Sequence, residues 1–130
     1  MLHIPSLYIG SSGLSGRGVY TSVPIEAGGM IEISPVIVLS SSDLKLVHQT
    51  FLHDYYFLWG KKEGAIALGY GSLYNHAADP NADYRMDYSN QSINFFCIRS
   101  IRAGEEITIN YVDGEQEKGG LWFKDAGQKG

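Results

Sequence analysis

The stretch "GYGSLYNHAADPNADY", residues 69–84, decides how this chain is read. It runs from two glycines through a tyrosine and an Asn-His pair to an Asp-Pro-Asn turn. Three readings compete for it: a surface turn, a metal site, or one wall of a ligand pocket. Spacing tests the second. Asp79, Asn81 and Asp83 match the first three ligand positions of a calcium-binding EF-hand loop. The sixth position needs a glycine for the sharp turn and is Tyr84, and the twelfth needs a glutamate and is Asn90. The calcium match fails. His48 and His53 stand five apart, off a common helical face, and Cys97 is the only cysteine, so no zinc set emerges either. No metal is expected.

Working outward, 130 residues fit one domain large enough to bury a core. A hydrophobic fraction of 44% against 18% charged residues excludes a disordered tail. The net charge of −4 lacks the basic footprint that direct nucleic-acid binding requires, but it is compatible with a cationic partner such as a Lys-rich peptide. No apolar run approaches the roughly 20 residues needed to span a bilayer. The opening "MLHIPSLYIG" has no basic region followed by a long apolar stretch. The expectation is therefore no membrane partner, no secretion, and a cytoplasmic location, or a nuclear one in a eukaryote or its virus. Cys97, inside the apolar run "INFFCIRSI", reads as a buried, inert thiol.

Turn residues recur along the chain, and β-rich runs lie between them: "GVYTSV", "MIEISPVIVL", "AIALGY", "INFFCIRSI" and "EEITINY". The fold class is mostly β with short helices. One helix is expected within "SSSDLKLVHQTFLHDYY", residues 40–56, capped by Ser42 or Asp43, with Leu44 and Val47 on its apolar face. The run "YYFLWG" that follows fits a strand equally well. The last stretch, residues 115–130, is polar and Gly-rich apart from Leu121, Trp122 and Phe123, and reads as a loose tail pinned by its aromatics. The segment "GSSGLSGRG", residues 10–18, lacks the Lys-Ser/Thr of a phosphate loop and leads into a β-like run instead of a helix. Its Gly16 and Gly18 allow a close approach of backbone to a partner, or a tight turn.

Three stretches gain meaning from one another: "GRGVYTSVPIEAGGMIE" (16–32), "GYGSLYNHAADPNADY" (69–84) and "IRSIRAGEEITINYVDG" (98–114). In this order and spacing they resemble the SET domain of S-adenosylmethionine-dependent protein lysine methyltransferases. Asn75, His76, Pro80 and Asn81 match its middle motif. Gly104, Glu105, Glu106 and Tyr111 match its Gly-Glu-Glu-Leu-x-x-x-Tyr pattern, with Ile107 in the Leu slot. The resemblance implies a β-clip-like SET domain over residues 1–114, made of several small sheets with a knot-like C-terminal crossing, and a post-SET tail over 115–130 with an aromatic anchor.

It also implies roles. Tyr111 would be the catalytic tyrosine. Gly16, Arg17 and Gly18, together with Asn75 and His76, would bind S-adenosyl-L-methionine, partly through main chain, and Trp122 would cover its adenine. Tyr55, Tyr56, Tyr74 and Ile109 would line the substrate lysine channel, and Trp59 is a further candidate there. A tyrosine-lined channel suits the chemistry, because ring faces favour cations and hydroxyls orient amines. Pro80 and Asn81 look architectural. The implied partner is a lysine-containing protein or peptide, such as a histone-like protein. Small SET proteins of bacteria and large viruses come nearest in length, and some pair as homodimers, which would supply a missing wall of the groove. Ile109 stands where many relatives carry an aromatic that affects how many methyl groups are added, so methylation number stays open. A catalytically silent SET-fold module that docks a peptide is the alternative.

Overall fold

The structure is a computed structural model that describes residues 2–3, 6–14 and 16–111. The expected tail, with Trp122 and Phe123, lies outside the described residues. The chain folds mostly into strands: β1 (Leu2–His3), β2 (Leu7–Ser11), β3 (Arg17–Thr21), β4 (Met30–Leu39), β5 (Tyr56–Trp59), β6 (Glu63–Ala67), β7 (Asn75–His76), β8 (Ala82–Asp87), β9 (Ser92–Cys97) and β10 (Glu106–Ile109). Among the described residues, one α-helix, α1 (Ser41–His48), and 3-10 turns at Phe51–Asp54 and Gly71–Leu73 accompany the strands.

The strands form two sheets. The larger runs β5-β6-β4-β9-β8, with β1 also alongside β4, and the smaller runs β2-β3-β10-β7. Strand β4 belongs to two neighbourhoods. Its first half pairs with β9 as far as Pro35↔Ser92, and its second half pairs with β6 from Val36↔Ala67 onward. Proline has no N–H to give to a ladder, so it sits where the strand changes partners. The core collects Val19, Ile31, Phe57, Ile93, Phe95, Ile101, Ile107 and Ile109, all withdrawn from solvent. Cys97 is buried with them, its thiol donating to the carbonyl of Glu26 at 2.8 Å, as expected of an inert thiol.

The helix begins earlier and ends sooner than the sequence pattern predicts. Ser40, not Ser42 or Asp43, is the N-cap, its Oγ accepting from the N–H of Asp43 at 3.1 Å. Thr50 then caps a separate 3-10 turn, accepting from the N–H of Leu52 at 3.1 Å, which ends the α-helical run at His48. The following Tyr56–Trp59 is a strand because β6 offers it a full antiparallel partner, from Tyr56↔Ile66 to Trp59↔Glu63. Helix α1 buries Leu44 in a small cluster with Tyr56 and Leu58. The close approach depends on Gly64, where a Cβ would come within 2.5 Å of a Leu44 methyl. Leu44→Ala would empty that contact and should cost about 3 kcal/mol of stability, read from urea unfolding midpoints. An unchanged midpoint would show that α1 contributes little to the fold.

Candidate active site

Strand β10 carries the site. Its isoleucines, Ile107 and Ile109, are fully buried, while Glu106 is half-buried and Thr108 almost wholly buried. On one side it runs antiparallel to β3, with Glu106 opposite Tyr20 and Ile107 opposite Val19. On the other it runs parallel to β7, with Thr108 opposite Asn75 and Ile109 opposite His76. A parallel pair needs a long crossover. Here the crossover passes through β8 and β9 of the larger sheet before β10 returns.

Two asparagines fix the return. Asn81 uses its amide as a strand would use its backbone: Nδ2 donates to the carbonyl of Glu106 at 2.8 Å, and Oδ1 accepts from the N–H of Thr108 at 2.9 Å. This bears out the architectural role expected of the Asp-Pro-Asn turn. Asn75 works through its side chain toward the first turn of the chain. Its Nδ2 donates to the carbonyl of Arg17 and to Oε2 of Glu106, each at 2.8 Å. Ser12 Oγ donates to the other oxygen of Glu106 at 2.8 Å. Gly18 faces this cluster. A Cβ there would lie 2.1 Å from Glu106 Oε2, so the space that glycine leaves is taken by a carboxylate.

Just beyond β10, Tyr111 turns into an aromatic cage. Its ring lies 5.2 Å from Phe57 and 6.4 Å from Tyr84, and stacks at 20° and 6.2 Å on His76. Its N–H donates to Nδ1 of His76 at 3.3 Å, and its hydroxyl donates to the carbonyl of Tyr74 at 3.2 Å. Burial pushes the Tyr111 phenol well above its ordinary value, and Tyr55 and Asp54 push it further. The hydroxyl stays neutral, and its proton is directed at a fixed acceptor.

The chain matches the SET domain family model over residues 16–112. The chain belongs to the SET-domain family. It is 38% identical over 111 residues to the histone-lysine N-methyltransferase of Schizosaccharomyces pombe that is specific for H3 lysine-37, a match covering 85% of this chain and 71% of that protein. A putative SET domain-containing protein of Acanthamoeba polyphaga mimivirus is 31% identical over 78 residues, 53% of this chain and 30% of its own length. Among solved structures, a putative histone methyltransferase of Plasmodium falciparum superposes with a TM-score of 0.68 at 32% identity, covering 82% of this chain and 92% of that one. By class, this SET domain is a protein-lysine N-methyltransferase.

The residues expected in the site divide into two groups. The SET fold gathers Arg17, Gly18 and Asn75 in the polar cluster, with Gly16 on the open turn before it, and places His76 and Tyr111 in contact. Tyr55 is half-buried beside Tyr111, its ring tilted on Phe51 at 5.8 Å. Three channel residues differ from the expectation in the direction of their side chains. Tyr56 lies on the face of β5 that packs under α1, with its hydroxyl 2.8 Å from His48 Nδ1, because alternate residues of a strand face opposite ways. Phe57, the next residue, is the one that meets Tyr111. Tyr74 is fully buried and donates to Glu32 Oε1 at 2.5 Å, so it serves the site through its carbonyl and not its ring. Ile109 is fully buried in the core. Trp59 likewise packs away, against Tyr88 at 4.8 Å.

Phe57, Tyr84, Ser12 and Glu106 join the site without a role expected from the sequence. Only Glu106 carried a signal, as part of the Glu-Glu pair of the last motif. Among the described residues, no three His, Cys, Asp or Glu side chains converge to hold a metal ion.

The buried phenols have a consequence for stability. Burial raises Tyr56 to about 12, aided by Asp54, and raises Tyr74 well above its ordinary value, aided by Glu32. The unfolded chain ionises these groups near pH 10, before the folded one does. Their contribution is therefore present in full below about pH 10 and is lost as pH rises through the folded values. Melting temperature should fall steeply above about pH 10. Tyr74→Phe and Tyr56→Phe variants should each show a shallower alkaline fall, and an identical slope in both would remove these phenols from the account.

Proposed function

We propose that this SET domain transfers the methyl group of S-adenosyl-L-methionine to the side-chain amine of a lysine in a histone or histone-like protein. The observation that carries the reading is the Tyr111 hydroxyl, held neutral by burial and aimed by the Tyr74 carbonyl just past the end of β10, with the Asn75–Glu106–Gly18 cluster at the start of the same strand. When bound, S-adenosylmethionine supplies an electrophilic methyl group on a cationic sulfonium. The residues present fit that molecule: the amide oxygen of Asn75 suits its α-ammonium, and the turn at Gly16–Gly18 lets main chain come close to it. His76, partly exposed beside Tyr111, is the proposed contact for the adenine edge. Trp122, in the tail, is proposed to cover the adenine.

The nucleophile must arrive as a neutral amine, although a free lysine has a pKa of about 10.4. The aromatic surroundings of Tyr111 desolvate an incoming ammonium and lower that value. Tyr111 does not act as a base, because a hydroxyl held protonated gains nothing by losing its proton at neutral pH. Its hydroxyl is proposed to position the amine and Tyr55 to hold the alkyl stem in line, while Phe57 packs behind the Tyr111 ring and fixes it. The acidic chain complements a Lys-rich tail, and the S. pombe relative, named for a histone lysine, supports that substrate class. The same reading carries a cytoplasmic or nuclear location. A second copy of the chain is the proposed wall of the groove, and sedimentation should then report twice the monomer mass.

Incubation with labelled methyl donor and histone H3, against H3 with its tail lysines changed to arginine, tests the substrate. Label is expected on the first and not on the second; equal labelling of both would sink the reading. Tyr111→Phe should lower kcat by roughly 10²-fold with donor affinity little changed. Wild-type turnover in that variant would remove Tyr111 from its role.

A further inference from the structure

Glu106 is a carboxylate with no assigned part in methyl transfer, yet three segments of the chain converge on it. Ser12 Oγ donates to Oε1 at 2.8 Å, Asn75 Nδ2 donates to Oε2 at 2.8 Å, and Gly18 makes way for it. The two N–H bonds of the Asn75 amide are used on Arg17 and Glu106, both acceptors. Only the nitrogen end of the amide can face that pair, so its oxygen must point the other way. That oxygen accepts no hydrogen bond from any described residue. Asn75 Nδ2 also reaches Ser12 Oγ at 3.3 Å, but that hydroxyl is itself oriented by its bond to Glu106, so without Glu106 the carbonyl of Arg17 would be the one short, fixed acceptor left to hold the amide.

We propose that Glu106 is a positioning residue for the methyl donor: it locks the Asn75 amide so that Oδ1 faces the ligand and selects a positively charged α-amino group. The inference rests on the methyl-donor reading above. It adds that recognition of the amino end is set by a residue that need not touch the ligand at all. It also gives Gly18 a second purpose, because a side chain there would expel the carboxylate that holds the amide.

Calorimetric titration with S-adenosylhomocysteine and with its analogue lacking the α-amino group tests this. Wild-type protein should bind the first at least 10-fold more tightly than the second. In Glu106→Ala the two should bind within about 2-fold of each other, mainly because the amino-bearing ligand has weakened. Glu106→Gln keeps an oxygen for Asn75 Nδ2 and presents its own amide to Ser12, so it should retain most of the discrimination. Gly18→Ala, whose Cβ would press on Glu106 Oε2 at 2.1 Å and on Asn75 Nδ2 at 2.8 Å and so disrupts the same lock from its other side, should also lose discrimination, and stands in if Glu106→Ala does not fold. Discrimination kept at the wild-type ratio in Glu106→Ala or Gly18→Ala would overturn the proposal, as would its loss in Glu106→Gln. Failure of wild-type protein to bind either ligand would instead overturn the methyl-donor reading itself.

Discussion

The two-residue parallel seam between Asn75–His76 and Thr108–Ile109 is the constraint on which the site depends. So short a ladder cannot hold a strand by itself, and the molecule reinforces it with side-chain amides that imitate backbone. Asn81 supplies a donor and an acceptor to β10 from one neighbouring turn, and Asn75 ties the same strand to the turn at Arg17. Hydrogen bonds to charged groups are worth about 1.5–3 kcal/mol and neutral ones about 1 kcal/mol, so this small set rivals a whole hairpin in holding power. Tyr111 inherits its position from that seam, being two residues past its end.

A second buried carboxylate follows a different logic. Glu32 is wholly withdrawn from solvent, accepting from the Tyr74 hydroxyl at 2.5 Å and from the N–H of Tyr70 at 3.1 Å. Burying a carboxylate costs several kcal/mol, and the hydrogen bonds it accepts offset that cost. What it provides is geometry: the Tyr70–Tyr74 turn is pinned to β4, and with it the carbonyl that orients the Tyr111 hydroxyl.

Much of this was legible in the sequence, and the gaps have identifiable causes. The strand β4 coincides with the β-branched run "MIEISPVIVL", because that composition fits a pleated, buried surface. The Asn-His and Asp-Pro-Asn motifs proclaimed a built turn. Strand β8 is hard to read because it is rich in charge, with Asp83, Arg85 and Asp87 in six residues, and Asp83 also fits a calcium-loop position. Its true signal is the alternation of these with the inward Ala82, Tyr84 and Met86. In β5 the sequence "YFLW" is apolar at every position, so nothing in it tells which face each ring takes; Tyr56 and Phe57 could be told apart only by the packing of α1. Glu106 sits in a recognisable motif, but its contacts with Ser12, Gly18 and Asn75 are tertiary and invisible to any local pattern.

Strand β10 bridges the earliest and latest parts of the described chain, and this orders events during synthesis. The hairpin β2–β3 and most of the larger sheet are complete before β10 leaves the ribosome, yet β3 and β7 then have no shared neighbour. Contacts so distant in sequence form late, because the chain must first close a long loop. Among the described residues β10 is the last strand, so the candidate site is completed only when it slots between β3 and β7.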